Sequence, residues 1–135
     1  MKRIGKQEIE KIKDFLKEKK EIQFVYLFGS FISLKNYRDI DIGVYVEENE
    51  EKNLDILNYE LDLSVQLEKL IKFPCDVKVI NNLPISLQYS ITKGKLLFVK
   101  DEVLYENFVC SVWKKYMDFK WISDIYLKEM KNARI

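Results

Sequence analysis

Two short stretches of this 135-residue chain combine residue types that can bind phosphate and metal ions. Gly29 and Ser30 follow an apolar run, and Asp39 and Asp41 begin a second run in which apolar and polar residues alternate. Side chains of a strand alternate between its two faces, so both aspartates are expected to point the same way. Two adjacent carboxylates repel each other unless a cation lies between them. The combination predicts a divalent metal beside a bound phosphate.

A third carboxylate completes the chemistry that nucleotidyl transfer needs. Asp76 opens the polar face of the next predicted strand, where it could join Asp39 and Asp41 in a two-metal site and accept a proton. Gly29 lets the backbone approach a phosphate closely, and Ser30 adds a hydroxyl at an expected helix N-terminus. The chain has no histidine, which excludes an imidazole base. A carboxylate is therefore the natural general base.

Each of these signals also has an ordinary explanation. An Asp-x-Asp pair usually lies on the solvent-exposed face of a sheet, and Gly-Ser commonly forms a turn. A calcium loop would need glycine where Val44 stands, and metal-dependent glycosyltransferases that use Asp-x-Asp have longer sugar-nucleotide domains. The order of elements favours the metal-phosphate interpretation: strand, Gly-Ser, strand with Asp-x-Asp, helix, strand with Asp.

The composition predicts one globular domain over residues 1–135. Hydrophobic residues make up 47% of the chain and charged residues 33%, with four glycines and two prolines. A net charge of +1 argues against nucleic acid as a direct partner. We expect no signal peptide, and no apolar run approaches the roughly 20 residues of a membrane span. Cys75 and Cys110 match no metal-ligand spacing and are interpreted as reduced core thiols of a cytoplasmic protein.

Hydrophobic periodicity predicts a single-domain α/β (α+β) fold in which helices flank a sheet. The predicted strands cover residues 22–28, 39–46, 75–80 and 95–100. Helices are predicted over residues 7–20 and 51–72, between Pro84 and Gly94, and after the capping residue Asp101 to nearly the end. Residues 31–38 are expected to form a short helical turn and a polar loop.

Three motifs carry a resemblance to a known family. Leu27-Phe-Gly-Ser-Phe31, Asp39-Ile-Asp-Ile-Gly43 and Cys75-Asp-Val77, with the segment 91–98, resemble the minimal nucleotidyltransferases (the MNT or MntA-like group) of the DNA polymerase β superfamily. The resemblance covers most of the chain and implies a nucleotidyltransferase fold with a mixed sheet and a long C-terminal helix. It also implies that Gly29 and Ser30 contact the substrate ATP, and that Asp39, Asp41 and Asp76 bind two Mg²⁺ ions and are catalytic.

The loop after the Gly-Ser turn departs from the pattern of this family. It is two residues shorter than usual, and Ser33-Leu34 replaces an Arg-Gly pair that is common in the family. Lys35 or Arg38 could substitute for the missing arginine as a phosphate ligand. Shortening a surface loop costs little free energy, so the fold should be unaffected.

The small size of the domain leaves room for a nucleotide but little for an acceptor. Another chain, or a second copy of this one, must then supply the acceptor site. Minimal members of the family are similar to antitoxins that pair with a HEPN toxin and transfer AMP from ATP to a toxin tyrosine, which implies a magnesium-dependent adenylyltransferase with a HEPN partner. Two alternatives stay open: a degenerate binding module that neutralises its partner by occlusion, and a dimeric nucleotidyltransferase acting on RNA or a small molecule.

The last helix carries more apolar surface than one core contact requires. One stripe contains Leu104, Phe108, Val112, Tyr116 and Phe119, and a neighbouring stripe contains Tyr105, Val109, Trp113, Met117 and Trp121. The pattern is compatible both with a helix buried between core and sheet and with a partner surface.

Overall fold

The computed structural model describes residues 4–29, 38–52 and 54–133 of the chain. The helices are α1 (Lys6–Lys17), α2 (Glu48–Glu51), α3 (Ile56–Ile71), α4 (Ile85–Thr92) and α5 (Glu102–Ala133). The strands are β1 (Ile22–Phe28), β2 (Ile40–Val46), β3 (Cys75–Val79) and β4 (Lys95–Val99). The predicted fold class is confirmed: helices flank a mixed sheet, and a long helix ends the described chain.

The strand order in the sheet is β3-β2-β1-β4. Strand β1 is antiparallel to both of its neighbours, whereas β2 and β3 are parallel. The two inner strands, β1 and β2, are rich in β-branched and aromatic residues, and all but one residue in each is buried. This arrangement brings the chain ends of β1, β2 and β3 that carry the predicted motifs into neighbouring positions.

Each face of the sheet has its own core. On one face, α1 and α3 pack aliphatic side chains such as Leu16 and Leu67 against the strands. The other face is aromatic: Phe24 stacks on Tyr45 with ring centroids 4.7 Å apart, under α4 and the first half of α5. The hydroxyls of Tyr26 and Tyr105 form a hydrogen bond of 2.8 Å that ties α5 to the sheet. The sheet is thus covered by helices on both faces.

The predicted helix over 51–72 is wrong at its start. The short helix α2 is separate, and α3 begins at Ile56 because the carboxylate of Asp55 accepts a hydrogen bond from the Asn58 N–H at 3.4 Å. The predicted cap at Asp101 is confirmed, since its carboxylate accepts a hydrogen bond from the Leu104 N–H at 3.1 Å. Of the turn and loop predicted over 31–38, residues 31–37 lie outside the described residues.

The two cysteines have different environments. Cys75 is buried, and desolvation raises the pKa of its thiol to about 12. Cys110 is exposed on α5, so its interpretation as a core thiol was wrong. The reason is that the side of α5 carrying Cys110 faces away from the sheet.

Within the described ranges, no helix combines the length and hydropathy that a membrane span requires.

Candidate functional site

The site is built around the turn that ends β1. Gly29 has a φ of +77°, a conformation that a residue with a side chain rarely adopts. A Cβ added to Gly29 would also overlap the Oδ2 atom of Asp41 on the neighbouring strand. Two independent constraints therefore require glycine here. Because Gly29 has no side chain, the turn lies directly against the Asp41 carboxylate.

Asp39, Asp41 and Asp76 come from two parallel strand segments. The register of β2 and β3 pairs Asp41 with Asp76, so their side chains project from the same face of the sheet. Asp39 precedes β2 and lies two residues before Asp41. Asp39 and Asp41 are half-buried, whereas Asp76 is exposed. The structure thus places the three carboxylates that the sequence singles out at the neighbouring ends of β2 and β3.

The charges of these carboxylates act on one another. The pKa of Asp41 is raised above its ordinary value, first by burial and then by the negative charges of Asp39 and Asp76. The positive charge of Lys78 acts in the opposite direction. A cation placed among the three carboxylates would relieve the repulsion that raises the Asp41 pKa.

The residues present suit a hard divalent cation by their chemistry. Carboxylate oxygens are the ligands that Mg²⁺ prefers in proteins, and Asp39, Asp41 and Asp76 supply them from the neighbouring ends of β2 and β3. In the described part of the chain, however, no three acidic or thiol side chains are arranged closely enough to hold a metal ion as they stand. Side-chain rotation at these positions would be needed to close the carboxylates around a shared ion.

The remaining predicted contacts with the nucleotide are only partly described. Gly29 lies at the turn beside Asp41, and Arg38 is exposed next to Asp39. Ser30 and Lys35 lie outside the described residues. The roles assigned to these four residues stay predictions.

One charged residue at the site was missed by the analysis of the sequence. Lys78 is half-buried on β3, opposite Gly43 in the register with β2. The signal was present, because the alternation that exposes Asp76 places Lys78 on the same face. Its proximity to Asp41 depends on the pairing of β2 with β3, which residue types alone do not reveal.

This fold and this arrangement of carboxylates beside a glycine turn define a class of protein. The model of the family described as Polymerase beta, Nucleotidyltransferase matches residues 10–103, so the chain belongs to this family. The predicted membership of the DNA polymerase β superfamily is thereby confirmed. No curated protein matches the chain.

Solved structures give a more detailed likeness. The fold matches a chain in a crystal structure of the toxin-antitoxin MntA-HepT, with a TM-score of 0.70 and 19% identity over 94% of this chain and 99% of that chain. A complex of a tri-AMPylated Shewanella oneidensis HEPN toxin with an MNT antitoxin matches with a TM-score of 0.70 and 20% identity, over 93% and 97% of the two chains. A toxin-antitoxin structure with AMP-PNP matches with a TM-score of 0.69 and 19% identity, over 95% and 99%.

Proposed function

We propose that this chain is a magnesium-dependent adenylyltransferase that transfers AMP from ATP to a HEPN-type toxin and so acts as its antitoxin. The observation that carries the proposal is the position of Asp41, which touches the Gly29 turn, pairs with Asp76 and interacts electrostatically with Asp39. Similar chains in complexes of a toxin and an antitoxin, one with an AMPylated HEPN toxin and one with AMP-PNP, support the choice of partner and nucleotide.

In this proposal Asp39, Asp41 and Asp76 would hold Mg²⁺ at the open end of β2 and β3. The bound ions would supply positive charge that neutralises the triphosphate and the charge that develops during transfer. The turn at Gly29 lets the backbone come close to the phosphates, with Ser30 and either Lys35 or Arg38 as further phosphate contacts.

Asp76 is the carboxylate best placed to receive the proton of the acceptor hydroxyl. It is the exposed member of the three, so an incoming tyrosine hydroxyl can reach it, whereas Asp39 and Asp41 are half-buried. As that proton moves to the Asp76 carboxylate, the acceptor oxygen forms a bond to the α-phosphorus of ATP. The bond from the α-phosphorus to the bridging oxygen breaks, and pyrophosphate leaves.

The acceptor would be brought by a partner that binds the second half of α5. From residue 117 to residue 132 every side chain is exposed except the half-buried Ser123. The large apolar side chains that this segment leaves in contact with solvent are Met117, Phe119, Trp121, Ile122, Ile125, Tyr126, Leu127 and Met130. Eight exposed large apolar side chains on one helical segment are unusual for a monomeric protein, which favours a protein partner. This choice between the two interpretations of the last helix rests on the exposure of these side chains.

The proposal is tested by transfer of labelled AMP to a co-expressed HEPN toxin. Wild-type chain, ATP radiolabelled at its α-phosphate and Mg²⁺ should label the toxin on tyrosine, and the double variant Asp39→Ala/Asp41→Ala should give no label. Asp62→Ala is the matched control, because it removes an exposed carboxylate from the middle of α3. Equal labelling by the double variant and the wild type would reject the assignment.

A second candidate is a binding module that inhibits its toxin by occlusion alone. The observation in its favour is that Asp39, Asp41 and Asp76 are not closed around a shared point. Calorimetric titration with ATP separates the two candidates, because the enzyme needs magnesium-dependent ATP binding and an occluding scaffold does not. The remaining alternative is a dimeric nucleotidyltransferase that acts on RNA or a small molecule. Parallel reactions with these acceptors would reveal it, since the RNA or the small molecule would then be labelled without the toxin.

A further inference from the structure

The strand that carries Asp76 lies at the edge of the sheet. β3 is the first strand in the order β3-β2-β1-β4, with β2 on one side of it. Just after β3, the Ile80 N–H donates a hydrogen bond to the Val44 carbonyl of β2 at 2.9 Å. The N–H groups of successive residues point to opposite sides of a strand, so those of residues 75, 77 and 79 point away from β2. An edge of this kind needs other hydrogen-bond acceptors.

Side chains of α3 supply these acceptors. The N–H of Cys75 donates to Oε1 of Glu68 at 3.1 Å, that of Val77 to Oγ of Ser64 at 3.1 Å, and that of Val79 to Oε2 of Glu60 at 2.8 Å. The acceptors are four residues apart on the helix, a rise of about 6 Å, and the donors are two residues apart on the strand, a rise of about 6.6 Å. Because the two spacings nearly match, one face of α3 can serve every second residue of β3.

Two of these hydrogen bonds flank Asp76. Its neighbours Cys75 and Val77 donate to Glu68 and Ser64 through the backbone, and their own side chains are buried in the aliphatic core with those of α3. Side chains alternate along a strand, so the Asp76 carboxylate projects from the opposite face of the sheet. The acceptors on α3 therefore fix the backbone on both sides of Asp76 from the face opposite to its carboxylate.

We propose that Ser64 and Glu68 are positioning residues, which hold β3 so that Asp76 stays opposite Asp41 and both carboxylates can serve one cation. The proposal rests on the proposed function, because it takes Asp76 as a metal ligand. The backbone of an edge strand opens more easily than that of an inner strand, since it has a partner strand on one side alone. A metal site shared by two strands requires their relative position to be fixed, and the two acceptors replace the missing neighbour of β3.

A matched pair of variants separates positioning from general support of β3. Glu68→Met and Glu60→Met each remove a carboxylate that accepts a hydrogen bond from β3, but the bond lost in Glu68→Met is next to Asp76. Binding of Mn²⁺ to the full chain is measured by electron paramagnetic resonance of the free ion. Glu68→Met should bind Mn²⁺ about ten-fold more weakly than the wild type, and Glu60→Met should bind it equally well. Glu68→Gln keeps an acceptor oxygen without the charge and should restore binding.

Amide hydrogen exchange of the metal-free chain reports on the strand itself. The Cys75 N–H should exchange about ten-fold faster in Glu68→Met than in the wild type, whereas in Glu60→Met the faster exchange should be confined to the Val79 N–H. The unfolding temperature should fall by similar amounts in both variants, because each loses one hydrogen bond of the same kind.

Equal weakening of Mn²⁺ binding by Glu68→Met and Glu60→Met would overturn the proposal, because the acceptors would then support β3 as a whole. Unchanged Mn²⁺ binding by Glu68→Met, with normal binding by the wild type, would overturn it while leaving the proposed metal site intact. Absence of Mn²⁺ binding by the wild type would reject the proposed function as well. If Glu68→Met does not fold, Ser64→Ala carries the same comparison at the Val77 N–H, with Ser64→Thr as the variant that keeps the hydroxyl.

Discussion

Replacing Gly29 by alanine tests the contact between the turn and the Asp41 carboxylate. An alanine at φ +77° costs about 1–2 kcal/mol, because its Cβ crowds the following carbonyl oxygen. The same Cβ overlaps Oδ2 of Asp41, and moving that side chain away from its preferred rotamer costs about 1 kcal/mol more. The expected loss is about 2–3 kcal/mol of unfolding free energy, which lowers Tm by about 10 °C for a chain of this size.

Thermal unfolding of Gly29→Ala measures this loss, and two further variants isolate its causes. Gly5→Ala is the control, because Gly5 has a negative φ of −101° and an added Cβ would meet Glu8 at an ordinary contact distance of 3.4 Å. In an Asp41→Ala background the overlap disappears, so the cost of Gly29→Ala should fall to the backbone part of about 1–2 kcal/mol. Labelling of the toxin should also be lost in Gly29→Ala, because the displaced carboxylate leaves the site.

The reasoning about Gly29 would be refuted by either of two results. If Gly29→Ala unfolded at the same temperature as Gly5→Ala, the turn would not be constrained as described. If Gly29→Ala lowered the unfolding free energy by the same amount in the wild type and in the Asp41→Ala background, the contact with the carboxylate would make no contribution to stability.

Three other outcomes are expected. At neutral pH without metal, Asp41→Asn should raise Tm, because the raised pKa means that the stability which Asp41 contributes in acid is lost as the pH rises through that pKa. The gain should vanish at a pH below the ordinary pKa of aspartate, as melting curves across pH would show. Gln88→Leu should cost about 2 kcal/mol in chemical unfolding, because the buried amide donates hydrogen bonds to two backbone carbonyls after β3, at 2.9 and 3.1 Å. Trp121→Ala/Tyr126→Ala should abolish capture of the toxin without lowering Tm, whereas Lys128→Ala should preserve capture; a large fall in Tm would mean that α5 packs on its own chain.

Much of the fold could be predicted because the relevant signals are local. The strand 22–28 was predicted with the bounds that β1 has, since seven consecutive residues form one largely apolar run bounded by charge and Gly29. The cap at Asp101 was also predicted, because capping involves residues three positions apart. The start of α3 was missed, since the periodic leucines continue through the break that Asp55 imposes.

The candidate site was also predicted only in part, because some of its features depend on local sequence signals and others on the pairing of distant strands. Residue types and alternation were sufficient to select Asp39, Asp41 and Asp76 and to predict that the first two share a face. The influence of Lys78 on Asp41 requires the parallel pairing of β2 with β3. That pairing joins segments separated by the whole of α3, so no local pattern specifies it.

The sequence by itself was enough to predict the element types, the α/β class and the three candidate carboxylates, because these depend on side-chain chemistry and on the periodicity of neighbouring residues. Only the tertiary structure decided that Gly29 touches Asp41, that the charge of Lys78 acts on Asp41, and that the large apolar side chains of α5 beyond Tyr116 are exposed. These features depend on where distant segments pack, and packing is settled by the burial of the whole chain.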